Sequence, residues 1–338
     1  MKTGTAVALL ALVVLGLAVA ITVVRCAGQP GAAEVVVYVS VDRVHAEPLL
    51  DDFSAQTGIR VKALYDVEAA KTTGLVQRLI AEKDRPQADV FFNGEFMQTL
   101  TLKEQGVLAA YRPAEAERLP AGAVDRDSRW TGVGGRVRVL LVNTDKVPRD
   151  ARPKRLEELL TTSIPGARIG VAWPFFGTTA THAAALYAAW GPERARQYFA
   201  DLKARGVRFV DGNSVVRDLV VQGELWVGLT DSDDALGATE RKAPVETILP
   251  DQEENGLGTL RIPATVALVT GAPHAEQGQV LVDFLSSGYA EAKLQRSGFC
   301  QYPLRGEAKA LRTMRVRADE IAANWPRAQS ELRETLAR

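Results

Sequence analysis

The chain has 338 residues, of which 41 are basic and 41 are acidic, so its formal net charge is zero. A balanced charge without a basic stripe argues against nucleic acid as a partner. Cys26 and Cys300 are the only cysteines, so no disulfide framework is expected. Beyond an apolar N-terminal segment, roughly 300 residues remain, which is too long for one small core and predicts two lobes.

The N-terminal segment has the layout of an export signal. Lys2 precedes an unbroken run of apolar and small residues at 5–24, which is typical of a secretory signal. A run of about 20 residues also spans a bilayer, so a retained anchor is an alternative, and lipid attachment at Cys26 is another. Each alternative makes 1–33 a signal or anchor and places the chain from Glu34 onward in the periplasm or another extracytoplasmic space.

Strands and helices alternate along the rest of the chain. Short apolar runs rich in β-branched residues predict strands at 34–40, 59–65, 88–92, 137–142, 168–172, 207–210, 225–229 and 262–269. Apolar residues at helical spacing predict helices at 46–56, 75–83, 156–160, 179–190, 193–205, 215–222, 275–286, 290–296 and 308–336. This order predicts parallel strand pairing with right-handed crossovers, and therefore an α/β fold.

Polar residues follow several of these strands, at the edge where open α/β sheets bind ligands. The loop after the first strand carries Ser40 and Asp42, and the loop after the third carries Glu95. Free N–H groups at helix starts favour an anion, although the same residue types also cap ordinary helices. The candidates at two such helix starts are Gly177, Thr178, Thr179, Asn213 and Ser214.

Three aspartates follow the strand at 225–229. Asp231, Asp233 and Asp234 lie within four residues and repel one another unless a cation lies among them, so they predict the cation side of a binding site. A solvated turn is the alternative. The order Asp-Ser-Asp superficially resembles haloacid-dehalogenase phosphatases, but Ala235 stands where that motif needs Thr or Val. No catalytic grouping can be assembled from the sequence, so we predict a binding protein without a catalytic cofactor, with an Asp-dependent phosphatase as a remote alternative.

Six segments, at 36–40, 53–61, 87–95, 212–214, 262–268 and 271–274, carry a family resemblance. The chain resembles type II periplasmic solute-binding proteins of ABC importers, in the branch of the ferric-iron-binding proteins. The resemblance implies two α/β lobes joined by hinge strands, with a ligand cleft between them that closes by hinge motion. It also implies a monomer that delivers its ligand to an ABC permease in the cytoplasmic membrane. We expect residues 34–135 and 262–338 in lobe 1, residues 136–261 in lobe 2, and hinge strands near 137–143 and 245–262.

The resemblance also maps a site onto the sequence. By position, Glu95 matches the metal-binding glutamate of the iron-binding relatives, Asp42 lies near their histidine, and Asp233-Asp234 replaces their pair of tyrosines. Their anion-binding positions match Gly177, Thr178, Thr179 and Asn213. We therefore expect an anion side and a cation side in one cleft. The anion side comprises Ser40, Gly177, Thr178, Thr179, Asn213 and Ser214, and the cation side comprises Asp42, Glu95, Asp231, Asp233 and Asp234.

Two ligand classes fit these two sides. The first is ferric iron or another hard cation with phosphate or carbonate as a bridging anion, because carboxylates bind hard cations. The second is a small zwitterion or phosphorylated organic solute, such as an aminoalkylphosphonate, whose amine meets the carboxylates and whose phosphonate meets the helix starts.

Overall fold

In the computed structural model, residues 33–66, 73–120, 122–305 and 311–337 are described. Their strands are β1 (Glu34–Val39), β2 (Arg60–Tyr65), β3 (Val90–Asn93), β4 (Thr131–Asn143), β5 (Ile169–Ala172), β6 (Arg208–Val210), β7 (Val227–Asp231), β8 (Val245–Ile248) and β9 (Arg261–Leu268). Their helices are α1 (Arg43–Thr57), α2 (Thr73–Ala81), α3 (Met97–Glu104), α4 (Glu158–Thr161), α5 (Gly177–Trp190), α6 (Pro192–Ala204), α7 (Asn213–Val221), α8 (Ser232–Glu240), α9 (Ala275–Leu285), α10 (Gly288–Arg296) and α11 (Ala318–Ala337).

The strands form one continuous path in the order β2-β1-β3-β9-β4-β7-β5-β6, and β8 pairs with β4. β1 pairs in parallel with both β2 and β3, and β5 pairs in parallel with β6 and β7. These parallel sets confirm the strand-helix-strand alternation that the sequence predicts. They are the centres of two α/β lobes.

Two long strands, β4 and β9, join the lobes. The first part of β4 pairs antiparallel with β9, and the register shifts between Val133 and Arg136. From Arg138 onward, β4 pairs antiparallel with β7, and its last residues pair with β8. One strand therefore belongs to the sheets of both lobes, and it overlaps the hinge expected at 137–143.

Separate apolar cores lie in the two lobes. In the first, Val37 and Phe53 pack with Val282 of α9. In the second, Leu140 and Tyr187 pack with other residues of the same apolar cluster, which includes Leu332 of α11. Strands β3, β4, β5 and β7 are buried along their whole length, as in sheets that are covered on both faces.

The last helix does not lie where the predicted lobe boundary placed it. That boundary assigned 262–338 to the first lobe, whereas α11 packs against α5 and α6 and also contacts α3. The hydroxyl of Tyr187 donates to Glu331 at 3.2 Å, and Lys203 Nζ donates to the carbonyl of Leu336 at 3.0 Å. The chain thus returns to the second lobe after completing the first, since α11 covers the apolar faces of α5 and α6.

Two further differences concern helices that the sequence did not predict. α3 begins at Met97, shortly after β3 ends at Asn93, and α8 begins at Ser232, within the acidic stretch for which the sequence predicts a binding site or a solvated turn. Within the described ranges, we find no helix whose length and apolar content would allow it to cross a bilayer. The expected signal or anchor at 1–33 lies outside the described residues except for Ala33.

Candidate ligand-binding cleft

A cavity of about 230 Å³ lies among the loops that follow β1, β3, β5, β6 and β7. This is the edge at which α/β sheets are expected to bind ligands. All eleven residues that the sequence singled out line it, namely Ser40, Asp42, Glu95, Gly177, Thr178, Thr179, Asn213, Ser214, Asp231, Asp233 and Asp234. We call this cavity the inner cavity.

Two helices begin at the inner cavity. α5 starts at Gly177 and α7 at Asn213, and the residues before them, Phe176 and Gly212, supply no side-chain cap. The first N–H groups of a helix have no partner within the helix, and the helix dipole adds positive potential there. Gly177 has φ +57°, a left-handed conformation that favours glycine. The two helix starts give one wall of the cavity a positive potential, which favours an anion.

A buried network holds the side chains of this wall in place. Arg138 Nη1 donates to Asp231 at 2.6 Å and to Asn213 Oδ1 at 3.1 Å. The hydroxyl of Thr178 donates to the second carboxylate oxygen of Asp231 at 2.6 Å, and the hydroxyl of Thr179 donates to Asn213 at 3.2 Å. Because these polar side chains satisfy one another, they position the two helix starts at the cavity.

The acidic stretch is the first turn of α8. Asp231 is the residue before the helix, and Asp233 and Asp234 follow in its first turn. Carboxylates are stabilised at a helix N-terminus by the helix dipole, which is one reason why three of them lie together here. The other reason is that arginines surround them.

These arginines were not predicted from the sequence. Arg136 Nη1 donates to Asp233 Oδ2 at 2.7 Å, and Arg217 Nη1 donates to Asp234 at 3.1 Å. Arg136 and Arg138 are two residues apart on β4, so both lie on the same face of the strand. That spacing was the available signal, but the partners lie about 95 residues away in sequence, across a strand pairing that only the fold reveals.

The sequence matches the family model described as bacterial extracellular solute-binding protein over residues 85–327. The chain belongs to this family. It is 26% identical over 288 residues to a putative 2-aminoethylphosphonate-binding periplasmic protein of Salmonella typhimurium, covering 81% of this chain and 80% of that one. It is also 26% identical over 290 residues to the major ferric iron-binding protein of Neisseria meningitidis, covering 82% and 83%.

Solved structures of the same architecture agree with the fold. Iron-bound HitA from Pseudomonas aeruginosa superimposes with a TM-score of 0.78 at 21% identity, covering 90% of this chain and 99% of that one. The predicted fold class, a type II periplasmic-binding fold with two α/β lobes, is therefore confirmed. As a member of this family the chain is a solute-binding protein of ABC transport, and its relatives are transport proteins rather than enzymes.

Glu95 is placed differently from a typical ligand-binding carboxylate. Its oxygens accept the backbone N–H groups of Met97 at 2.6 Å and Gln98 at 2.9 Å, so it caps the start of α3. The hydroxyl of Thr181 on α5 donates to it at 2.9 Å, which joins the two lobes. Burial raises the pKa of Glu95 despite these hydrogen bonds. In this conformation Glu95 caps a helix and holds the lobes together.

Ser40 and Asp42 occupy the first-lobe side of the inner cavity. The hydroxyl of Ser40 donates to Asn93 at 2.6 Å and accepts the N–H of Gly94 at 3.0 Å. Ser40 therefore fixes the two loops of this lobe against each other. Asp42 precedes α1 and lies close enough to Arg136 to help raise the pKa of that guanidinium.

Two of the clustered aspartates, Asp231 and Asp234, have pKa values shifted in opposite directions. Burial disfavours the charge on Asp231, but Arg138 and Arg136 outweigh it and lower the pKa of this carboxyl. Burial, followed by the charges of Asp233 and Asp231, raises the pKa of Asp234 to about 8. Asp234 is therefore largely protonated at neutral pH, and a cation bound beside it would favour its ionised form.

Asp233 carries an acceptor that nothing in the described chain uses. Its Oδ2 accepts from Arg136, whereas its Oδ1 is buried and has no hydrogen-bond partner among the described residues. Only 7% of the side chain is exposed. An unsatisfied buried carboxylate oxygen costs free energy, so a donor on the ligand would stabilise it.

Asp231, Asp233 and Asp234 form the one group among the described residues that meets the geometry of a metal site, with one oxygen from each within 4.8 Å of the others. However, each of the three carboxylates already has an arginine partner. A hard metal there would lie beside guanidinium groups of the same sign. The donor set therefore fits a bare metal poorly.

Proposed function

We propose that the inner cavity binds a small zwitterion of the aminoalkylphosphonate class, with its ammonium group at Asp233 and its phosphonate at the starts of α5 and α7. The observation that carries this proposal is the buried, unpartnered Oδ1 of Asp233 in the same cavity as the N-termini of α5 and α7, whose preceding residues supply no side-chain cap. An ammonium donor satisfies the first, and phosphonate oxygens accept from the second.

The charge of the cavity favours a zwitterion over a simple anion. Carboxylates outnumber guanidinium groups in its lining, even when Asp234 is counted as neutral because of its raised pKa. A ligand that carries only negative charge would add to this excess. A positive group on the same molecule offsets part of this charge, so such a ligand enters at a smaller electrostatic cost than the same anion without an amine.

The size of the cavity also favours an organic ligand. Its volume of about 230 Å³ corresponds to several water molecules, since one water occupies roughly 30 Å³ of liquid. The relatives from Salmonella support the aminoalkylphosphonate class, and those from Neisseria support iron at the same identity. Ferric iron with phosphate or carbonate is the second candidate, favoured by the three close carboxylate oxygens.

The proposal includes the cellular context. The N-terminal segment would direct the protein out of the cytoplasm, as a cleaved signal, a retained anchor or a lipidated form. The lobes would close around the solute by motion about β4 and β9, and the closed monomer would deliver it to its ABC permease.

Calorimetric titration of the full chain, purified without chelator, tests the ligand class. We expect 2-aminoethylphosphonate to bind at least tenfold more tightly than ethylphosphonate, which lacks the amine. We expect ferric citrate, with and without phosphate, to leave the melting temperature unchanged. A stoichiometric iron signal in elemental analysis, together with no heat from 2-aminoethylphosphonate, would establish the second candidate instead.

A further inference from the structure

A second chamber adjoins the inner cavity and shares four of its lining residues. It has a volume of about 420 Å³, and we call it the outer chamber. The shared residues are Asp42, Arg217, Asp233 and Asp234, so the groups expected to meet the ligand's ammonium form the wall between the two spaces.

The outer chamber has an apolar part. Val44, Leu236 and Gly237 contribute apolar surface to the chamber, and Glu240 and Arg241 contribute one charge of each sign. Val44 is 71% exposed, the most exposed of the four large hydrophobic side chains that the described residues leave at the surface. Covering such a side chain removes apolar area from water and is favourable.

The unpartnered Oδ1 of Asp233 connects the two spaces chemically. Asp233 lines both the inner cavity and the outer chamber, so an ammonium group that donates to its buried Oδ1 lies next to the four residues that the two spaces share. When the phosphonate lies at the starts of α5 and α7, the remaining substituent positions on the nitrogen point away from that end of the ligand. The outer chamber is an adjoining space that such a substituent would enter by passing these shared residues.

We propose that the outer chamber holds an apolar substituent on the ligand's amino group, so that this protein takes N-alkylated aminoalkylphosphonates as well as those with a primary amine. This inference rests on the proposed function. Alkylation keeps the positive charge and leaves N–H groups for Asp233, while the alkyl chain covers Val44 and Leu236.

Gly237 offers a clean way to fill the outer chamber. It lies within α8, its φ is not in the left-handed region, and a Cβ there would meet no atom within 4 Å. Gly237→Leu therefore adds a large side chain at the lining of the chamber, from a Cβ that meets no atom within 4 Å, and it favours the helix. Gly237→Ala is the matched control, because it makes the same backbone change and adds only one methyl group. Val44→Ser, on the opposite element, removes apolar surface from an exposed position.

The test is calorimetric titration of the full chain and its variants with 2-aminoethylphosphonate and with N-butyl-2-aminoethylphosphonate. We expect the unaltered protein to bind both within tenfold of each other. Gly237→Leu should weaken the N-butyl compound at least tenfold and 2-aminoethylphosphonate less than threefold, while Gly237→Ala changes neither by more than threefold. Val44→Ser should weaken only the N-butyl compound, by about threefold.

The outcomes separate this inference from the proposed function. If 2-aminoethylphosphonate binds and the N-butyl compound binds more than a hundredfold more weakly, the outer chamber is not part of the ligand site and the proposed function stands. Equal losses for both compounds in Gly237→Leu would also overturn the chamber's assignment. If neither compound binds the unaltered protein, the proposed function and this inference both fail.

Discussion

Arg138 and Asp231 lie directly opposite each other on β4 and β7, and the guanidinium donates to the carboxylate across 2.6 Å. Neither side chain is more than 3% exposed. The pair stands at the point where β4 passes from one lobe into the other, and it anchors the hydroxyl groups at the start of α5. One ion pair therefore holds both the start of α5 and the segment of β4 that links the two lobes.

Asp231→Ala should destabilise the fold strongly. The substitution leaves Arg138 buried without its main counter-charge, a change that typically costs about 3–5 kcal/mol. The free energy of unfolding in urea at pH 7 measures this loss. Glu117→Ala is the control, because it removes an exposed partner of Arg112 and should cost less than about 1 kcal/mol. Similar losses for the two variants would contradict a structural role for the buried pair.

Asp233→Asn should separate recognition of the amine from recognition of the phosphonate. The amide removes the charge that meets the ammonium while retaining an oxygen near Arg136. A hydrogen bond to a charged group contributes about 1.5–3 kcal/mol, so we expect a loss of about 10- to 100-fold in affinity for 2-aminoethylphosphonate. Ethylphosphonate should bind the variant at least as well as it binds the unaltered protein. Titration of both compounds checks the prediction, and a parallel loss for both would oppose the assigned orientation.

Asp234 should make stability depend on pH. Its pKa is raised from 3.8 to about 8 by burial and by the neighbouring aspartates. Between these values the folded chain binds more protons at this site than the unfolded chain, so the free energy of unfolding falls as pH rises through that window. Asp234→Asn removes the effect and keeps an acceptor for Arg217. The free energy of unfolding of the variant minus that of the unaltered protein should therefore increase from pH 5 to pH 8, by at most about 1.4 kcal/mol per pH unit.

Urea unfolding at pH 5, 6, 7 and 8 measures this difference for the two proteins. A difference that stays constant over the four values would mean that Asp234 does not titrate in this range. The ligand provides a second check, because a bound ammonium favours the ionised carboxylate. The affinity for 2-aminoethylphosphonate should therefore rise from pH 6 to pH 8 in the unaltered protein and change less in Asp234→Asn.

The sequence predicts the local elements well because their signals are local. The β-branched run predicted at 34–40 is β1, Glu34–Val39, and the glycine after residue 57 ends α1 in a left-handed conformation. The residues that the sequence predicted from the loops at the strand ends all line the inner cavity. α8 was missed because its first turn is acidic, a composition that indicates a site as readily as a helix start.

What the sequence does not reveal is which charges meet. Arg136 and Arg138 lie in a strand that otherwise resembles an apolar core element, and their partners come from a distant strand pairing. From the sequence alone, the aspartates therefore require an external cation, whereas in the fold the arginines of the chain itself provide the positive charges. The sequence likewise predicts Glu95 as a ligand-binding carboxylate and does not reveal that it caps α3, because α3 is a short helix without a strong periodic pattern.

Gly177→Ala should weaken ligand binding beyond its effect on stability. Gly177 has φ +57°, and a Cβ there would meet no atom within 4 Å, so the cost is the backbone conformation itself, about 1–2 kcal/mol. Relaxation of that strain would move the first turn of α5, whose N–H groups are expected to meet the phosphonate.

Gly58→Ala is the matched control, because Gly58 has φ +71°, equally open surroundings and a position at the end of α1 outside the inner cavity. Both variants should lose similar stability in urea, but only Gly177→Ala should lose at least tenfold in affinity for 2-aminoethylphosphonate. Equal affinities in the two variants would show that the start of α5 does not contact the ligand.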